Sequence, residues 1–308
     1  MKILHIALGT PEFDRSATEL GHEVRRIAWR QYLGRNGRGS NVALNKDIIK
    51  AAYTFRPDLV FCQLQTPDVV QRGTLDTMRE LGCYVVNWCG DVRDPIPSWY
   101  VTDAPGFTVT AFSNQTDVDI LTGMGLASRY LQIGYDETIY NVGRGRPRKR
   151  EGIVFMGQNS GNRFPLSEAR VEMVARMRAE FGDAFSVYGH GWGTKHVHAP
   201  EEVDIYRRAL IAINFDHFNR PYFASDRILR AQACGCCVVS MDYVGLEDEH
   251  PYVECVNSLD EMVGRCRDLL SYTELASSFG SFSASHVRRH HTWHRRIEQI
   301  ETWMSEKS

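Results

Sequence analysis

The chain has 308 residues, 43% of them hydrophobic and 24% charged, which is enough for two globular domains with a core each. With 36 basic and 38 acidic residues the net charge is −2, so no whole-molecule field selects nucleic acid or an anionic membrane, and a polyanion would need a local patch. No run approaches the roughly 18 apolar residues of a membrane span, MKILHIAL is too short for a secretory core, and eight scattered cysteines suit buried thiols in a reducing cytoplasm.

In chain order, residues 2–8 read as a buried strand, 14–20 as a short helix closed by Gly21, and 23–29 as the next strand. Gly9 ends the first strand without a G-x-G-x-x-G, which argues against a dinucleotide cofactor. Residues 31–40, rich in Gly and Arg, form a loop, followed by a helix over 45–55 and a strand over 59–64. Thr66-Pro67 predicts a helix with proline at its first position running to 81, then a strand over 84–88 that delivers Cys89-Gly90-Asp91 at its carboxyl end. Strands at 108–112 and 129–133 with a helix at 115–124 between them complete the first half.

The alternation pauses at NVGRGRPRKRE, residues 141–151, a cationic stretch with no apolar period and the best domain boundary. The pattern restarts with a strand over 152–157 and the loop GQNSGNR, a helix over 166–181, a strand over 185–188, a helix over 200–209 and a strand over 210–215. In RPYFASDRILRAQACGCCVVSMDYVGLEDE, residues 220–249, Ser225 and Asp226 are N-caps, a two-turn helix follows, Gly235 occupies the left-handed C′ position, and 236–241 form a buried strand. A helix over 258–270 and a largely helical tail over 273–304 close the chain. The expected division is a first domain over 1–143, a basic linker over 144–151, a second domain over 152–293, and a terminal helix over 294–308 packing back towards the first.

Loops at the carboxyl ends of parallel strands carry ligands in such sheets. In the second half these offer Gly157, Asn159, Ser160, Arg163, Gly189, His190, Trp192, Asn214, Ser225, Asp226 and Arg227: backbone N–H groups, hydroxyls and cations suited to a diphosphate. No G-x-x-x-x-G-K-[ST] occurs, so the anion is not held as in a P-loop. The first half offers Thr10, Gln63, Gln65 and Arg93, with Asp91 placed to act as a base or orient a hydroxyl. His286, His290, His291 and His294 stand at i, i+4 spacing, but Arg288, Arg289, Arg295 and Arg296 surround them and oppose a metal ion. Cys234, Cys236 and Cys237 lack a paired C-x-x-C and read as buried thiols, so no metal site is expected. Arg144-Gly145-Arg146-Pro147 resembles an AT-hook core for the minor groove of DNA, against the default of a basic tether.

SDRILRAQACGCCVVSMDYVGLED followed by HHTWHRRIEQI resembles the C-terminal domain of CgeB-type, spore-maturation-like glycosyltransferases, and ELGHEVRRI, FRPDLVFCQ, ELGCYVVNWCGDVRD and IGYDETIYN resemble that family's N-terminal segments. The resemblance spans nearly the whole chain. It implies an α/β GT-B architecture, two Rossmann-like doubly wound domains facing across a cleft, and metal-independent transfer of a sugar from a nucleoside-diphosphate sugar to an acceptor hydroxyl, with no cofactor. Ser225 and Arg227 match its donor-site S-x-R, Gly235 the turn glycine, Gly189 and Trp192 its G-x-x-W, Asp91 its acidic loop, and His291, Trp293 and Arg296 its tail motif. Arg230 departs from the pattern, standing where the family has a Glu expected at the donor ribose; a cation cannot accept hydroxyl hydrogen bonds, and Asp226 and Glu247 are the alternative acceptors. Two further readings stay open: a DNA-modifying enzyme glycosylating a hydroxylated base, suggested by the RGRP segment, and a non-catalytic nucleotide-sugar or polymer-binding protein, suggested by Arg230.

Overall fold

The computed structural model describes residues 1–9, 11–33, 41–143 and 149–306. It divides into two compact units, Met1–Gln132 with Trp293–Ser308, and Ile133–Thr292. Most of the expected linker, and with it the RGRP segment, lies outside the described residues.

The first unit has six parallel strands: β1 (Lys2–Ala7), β2 (Glu23–Ala28), β3 (Leu59–Cys62), β4 (Tyr84–Cys89), β5 (Val109–Phe112) and β6 (Ser128–Tyr130), in the order β2-β1-β3-β4-β5-β6. The strand pleat sends alternate side chains to opposite faces. Leu4, Ile6, Val60, Cys62 and Val85 meet Leu44, Ile48 and Ala52 of the helix Asn41–Phe55 on one face. The other face carries an aromatic cluster in which Phe13 stacks on Phe61 at 4.3 Å and Trp293 meets Trp88 edge-on at 5.2 Å. Trp293 opens the terminal helix Trp293–Ser305, which lies beside the helix Pro11–Glu19 with His294 paired to Glu19 at 2.8 Å. Its side chain is fully buried, and at ~1.5–3 kcal/mol for a large buried apolar side chain it is one of the principal anchors of this unit. The matched tail motif therefore contributes a core residue through its tryptophan.

The second unit has five parallel strands: β7 (Glu151–Met156), β8 (Phe185–Tyr188), β9 (Ala209–Asn214), β10 (Cys237–Met241) and β11 (Glu254–Val256), in the order β11-β10-β9-β7-β8. Val154, Met156 and Val238 face one core; Ile153, Phe155, Cys237 and Val239 face the other, against Met173, Val174 and Met177 of the helix Ser167–Phe181. Both sheets thus have helices on two faces and a strand order that reverses between the first and third strands, the arrangement of Rossmann-like folds.

Two expectations are corrected. The helix predicted from Thr66 begins only at Arg72, because Asn45 bonds Val69 O and Gln71 N and Asp68 adopts a left-handed φ of 60°, holding 66–71 as a turn. The helix predicted over 286–294 stops at His290, so His290 and His294 do not share a helix face. Short elements at Ser98–Asp103 and β11 lack a long enough apolar period to show in the sequence. All eight cysteines are free thiols, seven of them buried.

Candidate functional site

The reversal in the second sheet falls between β7 and β9, and ligands of such sheets gather beyond the carboxyl ends of those strands. A cavity of about 360 Å³ opens there, within the range of nucleotide-sized sites. Its wall includes Gly157 and Ser160 after β7, Gly189 after β8, His217 after β9, and Asp226, Arg227 and Arg230 from the helix Asp226–Ala233.

The glycines let the two strand exits run side by side. Gly189 has φ +136°, and a Cβ there would lie 2.1 Å from the Gly157 carbonyl oxygen, so no other residue fits. Gly157 N–H donates to Tyr188 O and Asn159 N–H to His190 O, both at 2.9 Å, while Trp192 Nε1 donates to Gly157 O at 2.6 Å. Trp192 and Asn159 are therefore props of the cavity floor, and the N–H groups of Gly157 and Asn159 are already engaged rather than turned to an anion.

The cations are more telling. Ser225 takes the N-cap position of its helix, but its hydroxyl donates to Asn214 Oδ1 at 3.4 Å and its oxygen accepts no backbone N–H of the helix. Asn214, buried at the end of β9, uses its amide nitrogen on Asp216 and Ser240 at 3.0 Å each, so its oxygen is turned to Arg227, which donates at 3.1 Å and also reaches Asp216 at 3.3 Å. Behind it lies Arg170, absent from the expected site and only 1% exposed. Its guanidinium donates to Gln158 O at 3.2 Å, to Phe215 O, and to His217 Nε2 at 2.7 Å, and its Nε has no partner among the described residues. Arg170 and Arg227 flank the Phe155 ring at 5.6 and 5.4 Å.

Asp216 thus acts on both guanidiniums: it pairs with Arg227 at 3.3 Å and bears on Arg170 through its charge. Burial, then the nearby Arg227, lowers Arg170 to about 9, with Asp216 only partly offsetting them. The same burial, with Arg170 and Arg227 adding repulsion, lowers His217 to about 4 and keeps it neutral near pH 7. Because a guanidinium can only donate, His217 Nε2 is an acceptor here, leaving Nδ1–H for the Ser167 hydroxyl at 3.3 Å. This is an anion-shaped site: buried positive charge, hydroxyls and a neutral imidazole, short by one negative charge.

The expected residues divide. Gly157, Ser160, Gly189, Asp226 and Arg227 line the cavity; Asn214 and Ser225 orient Arg227. Asn159, Arg163, His190 and Trp192 stand around the wall without lining it, with Arg163 lying over the Phe164 ring. Glu247, on the short helix Leu246–Glu249, is exposed and outside the lining of this cavity. Arg230 is paired with Asp226 at 2.6 Å and with Glu202 at 3.4 Å. In the first unit, Thr10 lies outside the described residues. Gln63 is buried, its Oε1 accepting from Leu8 N at 3.2 Å and His5 Nε2 at 3.2 Å, which fills that sheet's own reversal point. Gln65 is half-buried beyond β3, and Asp91 is exposed beyond β4 with Arg93 3.6 Å away. Among the described residues no group of three or more His, Cys, Asp or Glu could hold a metal ion, and no helix is long and apolar enough to cross a membrane.

The fold is GT-B: α/β with two parallel-sheet Rossmann-like units. A family model described as glycosyl transferase-like matches residues 170–302, somewhat under half of the chain. No curated protein matches the sequence. Among solved structures, Anabaena HepE in complex with UDP and glucose aligns with TM-score 0.66 at 11% identity, over 99% of this chain and 100% of that one. Sucrose-phosphate synthase from Thermosynechococcus elongatus aligns with TM-score 0.64 at 10% identity over 99% and 98% of the two chains. A glycosyltransferase from Rickettsia africae aligns with TM-score 0.65 at 12% identity over the same shares.

Proposed function

We propose that the chain transfers a glycosyl group from a nucleoside-diphosphate sugar to an acceptor hydroxyl. The observation that carries this reading is the Arg170–Arg227 pair at the reversal point of the second sheet, a buried and a half-buried cation lining one cavity, with Asp216 paired to Arg227. Glycosyl transfer builds negative charge on the departing diphosphate, and preorganised cations in a water-poor site stabilise it without rearranging. The family match over 170–302 spans both arginines, and the likeness to HepE, solved with UDP and glucose, supports the same donor class. The finer kinship with CgeB-type enzymes rests on the SDRILRAQACG and HHTWHRR segments.

In this reading Arg170, Arg227 and the Ser160 hydroxyl hold the diphosphate, and the charge a metal ion would otherwise supply comes from the two guanidiniums, so excess chelator leaves turnover unchanged. Asp91, at the end of β4, orients or deprotonates the acceptor, and Asp91→Asn lowers kcat by about 10²–10⁴. The test is incubation with UDP-, GDP- and dTDP-sugars, following release of nucleoside diphosphate. Neither hydrolysis nor transfer with any donor, together with unchanged nucleotide affinity in Arg227→Ala, overturns the reading.

A further inference from the structure

The same cavity has a second charged group of opposite balance. Glu202, from the first turn of the helix Glu201–Arg208, lines it together with Asp226 and Arg230. The Glu202 side chain is 12% exposed. Its Oε2 accepts from the Tyr140 hydroxyl at 2.9 Å, while Arg230 approaches Oε1 only to 3.4 Å and spends its short bond, 2.6 Å, on Asp226. Arg230 is itself seated over the Tyr140 ring at 5.0 Å. Burial raises Tyr140 above its ordinary value, with Arg230 opposing and Glu202 adding, so the phenol keeps its proton and holds Glu202 in place.

Two carboxylates around one guanidinium leave this group net negative, which disfavours a further phosphate. A carboxylate accepts hydrogen bonds and donates none, and Glu202 Oε1 has one long contact, so the ligand atoms that fit it are hydroxyl donors. A ligand spanning both groups has an anion on Arg170 and Arg227 and hydroxyls at Glu202.

We infer that Glu202 receives the vicinal hydroxyls of the donor's ribose, with Arg230 as its positioning residue, so that this chain selects ribonucleotide over deoxyribonucleotide donors. The inference rests on the function proposed above and deepens it. It assigns the acceptor role to a residue 28 positions from Arg230, on a different helix. It also gives Arg230 a use in place of the carboxylate otherwise expected there: it clamps two acceptors instead of being one.

The experiment is calorimetric titration of the full chain with UDP, GDP, ADP and CDP, each beside its 2′-deoxy and 3′-deoxy forms. For the diphosphate that binds tightest, removal of one of the two hydroxyls weakens affinity about tenfold or more, as expected for a lost hydrogen bond to a charged group. E202Q shrinks that ratio towards unity, and Arg230→Met shrinks it too, whereas a merely structural arginine would weaken all forms together. Arg227→Ala weakens every form and leaves the ratio intact. Equal binding of the ribo and deoxy forms by the wild-type chain overturns the inference without needing any variant to fold, and leaves the diphosphate reading standing. An undiminished ratio in E202Q also overturns it. Failure of every diphosphate to bind removes both.

Discussion

Replacing Arg170 by Met asks whether the buried guanidinium serves the fold or a ligand. A guanidinium lowered from 12.5 to about 9 carries a charge-burial cost of roughly 5 kcal/mol at ~1.36 kcal/mol per pH unit. The folded state holds this proton less tightly than the unfolded one, so the cost is complete below pH 9 and is relieved only as pH rises through that value. Removing the charge recovers that cost but strands three acceptors, Gln158 O, Phe215 O and His217 Nε2, at about 1–3 kcal/mol each when nothing replaces the donor. The two effects cancel to within a few kcal/mol, so the ligand-free variant should unfold in urea within about 4 kcal/mol of wild type. Nucleotide binding should behave otherwise. Each charge-assisted bond to the diphosphate is worth about 1.5–3 kcal/mol, so UDP affinity should fall by roughly 10- to 150-fold in calorimetry for one lost bond. Wild-type UDP affinity in Arg170→Met, or a variant that cannot fold without ligand, would refute the argument that this cation is kept for an anion.

His217, lowered from 6.5 to about 4, charges in the unfolded state before the folded one, so stability should fall as pH drops from 6.5 to 4 and carry no such cost above 6.5. With the ring only half-buried and solvent screening part of the repulsion, the loss should be about 1–2 kcal/mol; a urea series at pH 7 and 4.5 should show it in wild type and not in His217→Gln, and equal pH slopes would count against it. Gly189→Ala should cost about 3 kcal/mol or more, since its Cβ would sit 2.1 Å from a carbonyl oxygen, whereas Gly193→Ala, at φ +72° with open space around it, should cost about 1 kcal/mol. Equal urea midpoints for the two variants would contradict the close approach of β7 and β8. Trp293→Ala should destabilise by about 3–5 kcal/mol without changing nucleotide affinity, and Trp293→Phe by much less, because the indole N–H has no partner among the described residues.

Much of the fold was legible because parallel strands buried on both faces write continuous apolar runs, and 2–8, 59–64, 84–88, 210–215 and 236–241 all became strands to within two residues at either end. The capping chemistry was legible in part: Gly235 has φ +84° after its helix, and Ser225 stands at the N-cap position, but without a side-chain bond to the helix, and Asp226 is already its first residue. What failed was tertiary. Thr66-Pro67 is a sound local helix start, but Asn45, some 20 residues earlier, holds the segment in another conformation, and no local pattern encodes that contact.

The site shows the same boundary more sharply. Arg170 was detectable: with Met173, Val174 and Met177 it completes an i, i+3, i+4, i+7 stripe, so a charge stood on the face meant for the core, and a charge placed there needs a reason. Glu202 had no such mark, because an acidic residue in the first turn of a helix already has a sufficient explanation in the helix dipole. Nor could a net charge of −2 reveal the site, since a sum over the chain erases what matters. Asp216 pairs with Arg227 and bears on Arg170 through its charge, while Glu202 and Asp226 stand around Arg230. Each group is out of balance by one charge, in opposite senses, and together they cancel. A ligand that is anionic along one part and rich in hydroxyls along another satisfies both groups at once; a simple anion satisfies only the first.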